Sequence, residues 1–349
     1  MVTGGTGGHI YPALALADYI KEHSDSEILF VGNDDRMEHT LVPQHGYPIK
    51  TLHTSGLVGS PLKKGKAVVQ SGLAYIKAQK ILRDYQPDVV IGFGGYVSVP
   101  VLMAAQKLKI KTVVHEQNSI AGSSNKVVAK NADAVIVCYE NAIKDFDNKN
   151  ICLLGNPRAS LAANAKTNQD YYAKFRFDNN NPTCLVVMGS LGSETINAIM
   201  KDVLKNIKMV NFLYVAGKRD YQRVKDDFKY DNVRVVDYIN QLDIIDEMAF
   251  IICRAGATTA AEVCAGGVVS IMVPSPFVAH NHQYYNAKSL ADKHAALMIE
   301  EKDLNEQSLC DKINTIVNDS QLCEEIKTNA KALGFPNACK DIFELIKKI

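Results

Sequence analysis

Net charge is almost absent from this sequence. Against 39 lysines and arginines stand 38 aspartates and glutamates, a balance of +1 over 349 residues. Dedicated nucleic-acid binders normally carry a strongly basic domain, so nucleic acid is not an expected partner, although a local basic patch stays open. Long apolar runs are also absent: no stretch of about 18 apolar residues is available to cross a membrane as a helix. The opening MVTGGTGGHI has neither the basic start nor the apolar length of a signal peptide. The eight cysteines form no C-x-x-C pair, and several lie in or beside apolar runs such as FIIC. The expectation is reduced, buried thiols in the cytoplasm, with no zinc site. With 47% apolar and 22% charged residues, disorder and collagen-like repeats are excluded, as is a small disulfide-stapled scaffold.

What the sequence does contain is alternation. Continuous apolar runs occur at 28–31 (ILFV), 89–92 (VVIG), 112–115 (TVVH), 134–137 (AVIV) and 151–154 (ICLL). A second series follows at 185–188 (LVVM), 211–215 (NFLYV), 233–236 (VRVV), 250–253 (FIIC) and 269–273 (VSIMV). Runs without polar alternation suit strands buried on both faces of a parallel sheet. Helical patterns separate them, for example at 12–23, 66–84, 195–207, 258–266 and 284–293. The pattern pauses across 155–183 and restarts, which predicts a doubly wound α/β protein of two Rossmann-like halves, 1–156 and 157–334. The helical pattern at 338–349 is expected to pack back on the first half. Only Met1-Val2-Thr3 precede the first glycine loop, which is short for a central strand.

Chemistry-bearing residues cluster where those strands end. Thr3-Gly4-Gly5-Thr6-Gly7-Gly8-His9 runs into a helical pattern. Such a loop offers backbone N–H groups and a helix N-terminus to an anion, although a tight turn with positive φ has the same composition. It is not the G-x-G-x-x-G dinucleotide fingerprint. His9 at the junction is a candidate general base. Gly92-Phe93-Gly94-Gly95-Tyr96 repeats the geometry, and two anion-type loops suit a ligand with more than one anionic group. His115-Glu116-Gln117-Asn118, with Asn125 beyond, offers amides suited to sugar hydroxyls.

In the second half, Gly189-Ser190-Leu191-Gly192 and Arg254-Ala255-Gly256-Ala257-Thr258-Thr259 each precede a helix and suit a diphosphate. Glu262, one turn on, repels phosphate and suits a ribose diol instead. Gln283 and Asn286 share a helix face. His280-Asn281-His282 lacks a nearby carboxylate or cysteine, and Asp145-Phe146-Asp147 lies in a polar stretch, so neither is read as a metal site.

These segments, GGTGGHIYPALALA, GFGGYVSVP, HEQNSIAGSSNK, LLGNPR, CRAGATTAAE and HQYYNA, together resemble the MurG family over about residues 3–300. Its members are UDP-N-acetylglucosamine:N-acetylmuramyl-(pentapeptide) pyrophosphoryl-undecaprenol N-acetylglucosaminyltransferases. The resemblance implies a GT-B fold, two Rossmann-like doubly wound parallel-sheet domains facing a central cleft. The first would serve acceptor and membrane, the second UDP-GlcNAc. It implies inverting, metal-independent conversion of lipid I to lipid II for peptidoglycan synthesis, and so a place in cell shape, division and the cell cycle. The enzyme would lie at the cytoplasmic face of the inner membrane and need no cofactor. UDP-GlcNAc, lipid I, an anionic membrane surface and other cell-wall synthesis proteins are the implied partners.

Carried across by position, Thr6, Gly7 and Gly8 match a donor-contacting loop, His9 the base, and Asn118 and Asn125 active-site asparagines. Arg158, Ser190, Ile239 (through its backbone), Ala257, Thr258, Thr259, Glu262, Gln283 and Asn286 match donor-binding positions. Gly5, Gly94, Gly95 and Tyr96 are expected to hold the acceptor diphosphate. The family's GNPVR is GNPR here, one residue shorter before Arg158, and its GGSQG is MGSLG, with Leu191 in place of a glutamine.

For the membrane, Leu57, Val58, Leu62, Val68, Val69, Leu73 and Ile76 with Lys63, Lys64, Lys66, Lys77 and Lys80 form a candidate docking surface. An ordinary amphipathic helix with a solvated basic face has the same pattern. The rival readings are another GT-B enzyme (a diacylglycerol glycosyltransferase or a sugar-nucleotide epimerase), a nicotinamide oxidoreductase, and a non-catalytic binding protein.

Overall fold

Apolar runs of four or five residues, with no polar alternation, have both faces to bury, and parallel sheets covered by helices bury them. A computed structural model describes residues 1–56, 60–178, 180–189 and 192–349 of the chain. It divides into Met1–Arg158 with Asn337–Ile349, and Ala159–Pro336.

The first unit holds β1 (Phe30–Asn33), β2 (Ile49–Leu52), β3 (Val89–Gly92), β4 (Lys111–Glu116), β5 (Ala134–Val137) and β6 (Ile151–Leu153). β1 pairs with β2, and β3 to β6 pair in sequence, all parallel. Val2 joins the two groups by bridging Val31 on one side and Gly92 on the other. Its N–H donates to the Ile91 carbonyl (2.7 Å), and its own carbonyl accepts from Phe93 N–H (2.8 Å). The short first strand is thus a single bridging residue, fully buried at the middle of the sheet. Apolar clusters flank it, one around Val31, Leu102 and Val114, the other around Ile10, Phe30 and Ile136.

The second unit holds β7 (Thr183–Val187), β8 (Asn211–Val215), β9 (Val233–Val236), β10 (Phe250–Cys253), β11 (Val269–Met272) and β12 (Leu297–Met298). Its parallel sheet runs in the order β12-β11-β10-β7-β8-β9, which has the reversal next to the first strand that marks a doubly wound sheet.

Some bounds differ from the sequence expectation. The strand expected at 28–31 is β1, two residues later, because Phe30 N–H pairs with the Pro48 carbonyl and fixes the register. The helix expected from residue 12 starts at Gly7, with Pro12 inside it. β2 and β12 escaped notice: one has partly exposed polar positions, and the other is two residues long. All eight cysteines are free, and burial pushes the Cys253 and Cys264 thiols up to about 12. Among the described residues no helix is long and apolar enough to cross a membrane.

The helix Ala338–Ile346 belongs to the first unit. Its Cys339 and Ile342 are buried in the cluster of Ile10, Ala13, Leu14 and Ala17 from the helix Gly7–His23. Ile342→Ala should cost about 2–5 kcal/mol. Hydrogen exchange should quicken in the helix Gly7–His23 and stay unchanged in Glu194–Asn206; equal protection of Gly7–His23 in parent and variant would contradict this packing.

Candidate active site

The residues singled out in the first unit meet at the C-terminal ends of Val2, β3, β4 and β6. Gly7 and Gly8 are the first two residues of their helix, where N–H groups have no intrahelical acceptor. Thr6 is the N-cap, and its hydroxyl makes no capping bond. His9, half-buried in the first turn, donates from Nδ1 to the Gly4 carbonyl oxygen at 2.9 Å. That bond makes Nδ1 the donor, so in the neutral ring the lone pair is on Nε2. Nε2 looks onto the second glycine loop: a Cβ built on Gly94 would lie 3.0 Å from it.

The two glycine loops touch through their backbones. A Cβ on Gly95 would come 2.6 Å from the Gly4 carbonyl oxygen, and Gly95 has φ +85°, so this position excludes side chains twice over. Tyr96 is exposed, its ring over Gly56. Gly5 departs from its expected role. Its N–H is not turned outward for a diphosphate but donates to Glu38 Oε2 at 3.1 Å.

The HEQN segment is tied to the same place. The rings of Phe93 and His115 stack with centroids 5.0 Å apart. Gln117 Nε2 donates to the Phe93 carbonyl (2.9 Å) and to His115 Nδ1 (3.0 Å). His115 Nε2 therefore carries the proton and donates to the Gly155 carbonyl at 3.1 Å. Burial lowers its pKa from 6.5 to about 4, so the ring is neutral.

Glu116, buried, organises both asparagines. Its Oε1 accepts from Asn118 N–H (2.9 Å) and Nδ2 (3.2 Å), and its Oε2 from Gly122 N–H (2.9 Å) and Asn125 Nδ2 (2.9 Å). Asn125 Oδ1 is buried with no partner among the described residues. Arg158 lies with the first unit, its guanidinium 5.7 Å from the centroid of the Tyr11 ring. In the D-x-D, Asp145 is committed to Ala121 N–H (2.9 Å) and Lys126 Nζ (3.0 Å).

In the second unit the singled-out residues again cluster at strand ends, but most are held by neighbours. Ala257, Thr258 and Thr259 form the first turn of the helix Ala257–Gly266, with Gly256 as its cap. Thr258 Oγ1 is buried without a partner among the described residues. Glu262 is buried and accepts from Gln241 Nε2, two residues past the buried Ile239. Gln283 Oε1 accepts from Ser275 N–H (2.8 Å), and Asn286 Nδ2 donates to the Ala255 carbonyl (3.1 Å). Arg254 pairs with Glu301 and reaches Ser193 Oγ at 3.2 Å. Ser190 and Leu191 lie outside the described residues.

Sequence reasoning missed Glu38, Glu116 as an organiser, Gln241 and the Arg254–Glu301 pair. Glu116 and Arg254 had a local signal, each lying inside a quoted segment; Glu38, Gln241 and Glu301 had none.

The helix Pro61–Tyr85 turns its chemistry inside out. Ala67, Ala74, Ala78 and Leu82 face inward, while Leu62 (87% exposed), Val69 (63%), Leu73 (63%) and Ile76 (64%) face out. Lys63, Lys64, Lys66, Lys77 and Lys80 are exposed on the same helix. Beside it a cavity of about 600 Å³ is lined by Tyr75, Met103, Lys107, Lys109, Ile110 and Val127, among others. Leu57 and Val58 lie outside the described residues.

Comparison with known proteins fits this arrangement. Residues 1–137 match the glycosyltransferase family 28 N-terminal domain, and residues 183–342 its C-terminal domain. A curated relative from Pediococcus pentosaceus is 37% identical over 99% of this chain and 98% of its own length. One from Listeria monocytogenes is 38% identical over 99% and 98%. Both are named UDP-N-acetylglucosamine--N-acetylmuramyl-(pentapeptide) pyrophosphoryl-undecaprenol N-acetylglucosamine transferase. The crystal structure of Acinetobacter baumannii MurG superposes with a TM-score of 0.81 at 28% identity, covering 100% of this chain and 99% of that one.

The neutral His115 generates a pH prediction. Its folded pKa of about 4 lies below the ordinary 6.5, so the unfolded chain binds the extra proton between those values. Stability is whole above pH 6.5 and falls as the pH drops toward 4, by up to roughly 3 kcal/mol. Urea unfolding at stepped pH should show this slope, and His115→Asn should flatten it; parallel slopes would assign the loss to other groups.

Proposed function

The chain belongs to the family 28 glycosyltransferases, among the N-acetylmuramyl-(pentapeptide) pyrophosphoryl-undecaprenol N-acetylglucosamine transferases, and from that membership we propose how its residues work. It is a glycosyltransferase of peptidoglycan precursor synthesis that moves GlcNAc from UDP-GlcNAc to the muramyl 4-hydroxyl of lipid I. We propose a single displacement with inversion and without a metal. The observation that carries the site assignment is the orientation of His9: Nδ1 donates to the Gly4 carbonyl, and Nε2 faces Gly94, so that in the neutral ring the lone pair is on Nε2.

In this reading Nε2 takes the proton from the acceptor hydroxyl as its oxygen attacks the anomeric carbon. The bond to the UDP oxygen breaks on the opposite face, and negative charge grows on the diphosphate. Donors fixed in advance stabilise that charge without reorganising. In this reading they are the helix N-terminal N–H groups at Gly7, Gly8 and Ala257 to Thr259, the Thr6 hydroxyl and Arg158; Ser190, outside the described residues, is assigned by family position alone. Ile239 receives the uracil through its backbone and Glu262 the ribose, the latter displacing Gln241. Gln283, Asn286, Asn118 and Asn125 orient the sugars. Gly94, Gly95 and Tyr96 hold the acceptor diphosphate, with Gly5 contributing shape rather than its N–H.

The acceptor is a lipid, and the outward apolar residues of Pro61–Tyr85 with their lysines support docking on an anionic bilayer at the cytoplasmic face. Other cell-wall synthesis proteins are the expected neighbours there.

Transfer of radiolabelled GlcNAc to lipid I, with and without EDTA, tests the reaction. His9→Ala should cut kcat at least 100-fold and leave UDP binding within about twofold. Glu262→Ala should raise the donor KM about tenfold or more. Unchanged turnover in the first variant, or an unaltered donor KM in the second, removes that assignment. In vesicle sedimentation, binding should rise with anionic lipid and fall in Leu73→Glu/Ile76→Glu; indifference to lipid charge would remove the docking face.

A further inference from the structure

The base has a buried carboxylate behind it that no motif announces. Glu38 opens the helix Glu38–Gln44 and is fully buried. No salt bridge neutralises it among the described residues; its oxygens are met by backbone. Oε1 accepts from Asn33 N–H (2.9 Å), and Oε2 from Gly5 N–H (3.1 Å). The space it occupies is reserved for it. A Cβ on Gly4 would fall 2.7 Å from Oε1, and a Cβ on Gly32 would fall 2.5 Å from its Cγ.

Gly5 N–H and the Gly4 carbonyl belong to one peptide group. Among the described residues every peptide bond is trans, so these two groups lie in the peptide plane and point in opposite directions within it. On one side sits the Glu38 carboxylate at 3.1 Å, and on the other His9 Nδ1 at 2.9 Å. We propose that Glu38 is a positioning residue for His9, acting through the Gly4–Gly5 peptide. A carboxylate accepting the N–H polarises the amide and makes its carbonyl a stronger acceptor for Nδ1–H. The same field favours the imidazolium that forms when Nε2 takes a proton. The arrangement does the work of a carboxylate–histidine pair with one peptide interposed. The proton on Nδ1 stays there throughout; only Nε2 gains and loses one.

Of the other titratable groups, the neutral His115 on β4 interacts electrostatically with His9, and Tyr11, with Arg158 near its ring, lies on the same helix. These stay constant when Glu38 alone is changed.

The proposal rests on the reading of His9 as the base, and the experiment separates the two. In Glu38→Gln, which keeps the size and removes the charge, the His9 pKa read by NMR of labelled histidine should fall by about half to one pH unit. The acidic limb of the kcat profile should move down with it. At neutral pH kcat should fall about three- to tenfold, with donor KM within twofold of the parent. An unmoved His9 pKa and acidic limb would overturn the proposal, even if kcat or Tm fell, since that is what mere loosening gives. If His9→Ala kept full turnover, the base reading would fall, while the pKa shift in Glu38→Gln would still decide the coupling. If Glu38→Gln does not fold, the parent protein answers: the Gly5 amide proton should titrate with His9, and a flat Gly5 resonance would overturn the proposal.

Discussion

One peptide group, between Gly4 and Gly5, sets the geometry of the first unit's site. Its carbonyl takes the proton-bearing nitrogen of His9, its N–H meets a buried carboxylate, and the Cα of Gly95 packs against its oxygen. The contact leaves no room for a Cβ on Gly95, and Glu38 and Val97 leave none on Gly4. The two glycine segments, some ninety residues apart in sequence, are thereby locked at van der Waals distance, and the imidazole is held between them. From there the lock extends by Phe93 and Gln117 to the HEQN segment, and by His115 to Gly155 beside Arg158.

Two buried carboxylates, Glu38 and Glu116, solve the same problem in two places. A tight loop at a strand end gathers N–H groups, and gathered N–H groups repel one another. An internal carboxylate satisfies some of them and stiffens the turn, at the desolvation cost every buried charge carries. The consequence is selective: Gly5, Asn33, Asn118 and Gly122 have their N–H groups occupied. The N–H groups of the helix-opening Gly7 and Gly8, by contrast, have no intrahelical acceptor.

The sequence made the architecture legible because buried parallel strands have a simple signature. VVIG, AVIV, NFLYV, VRVV and FIIC coincide with observed strands residue for residue. β2 was invisible because IKTL is half exposed and carries a lysine, and β12 because two residues have no period. At the site, His9 and both glycine loops were readable because each is a local pattern at a strand end. Glu38 was not, since its partners Gly5 and Asn33 lie on separate loops and only the fold brings them together. The family resemblance supplied positions such as Ile239 that no chemical pattern in the chain would have singled out. Gln241, which holds Glu262, lacked even that.

The helix Ala338–Ile346 has a consequence for how the protein comes into being. The apolar stripe it covers, on Ile10, Ala13, Leu14 and Ala17, is synthesised first, and the covering segment only after all of Ala159–Pro336. A ribosome therefore displays the first unit with one side of its core open for the whole time the second unit is being made. A message cut short before residue 337 would therefore yield not a slightly smaller protein but a first unit whose apolar stripe stays uncovered.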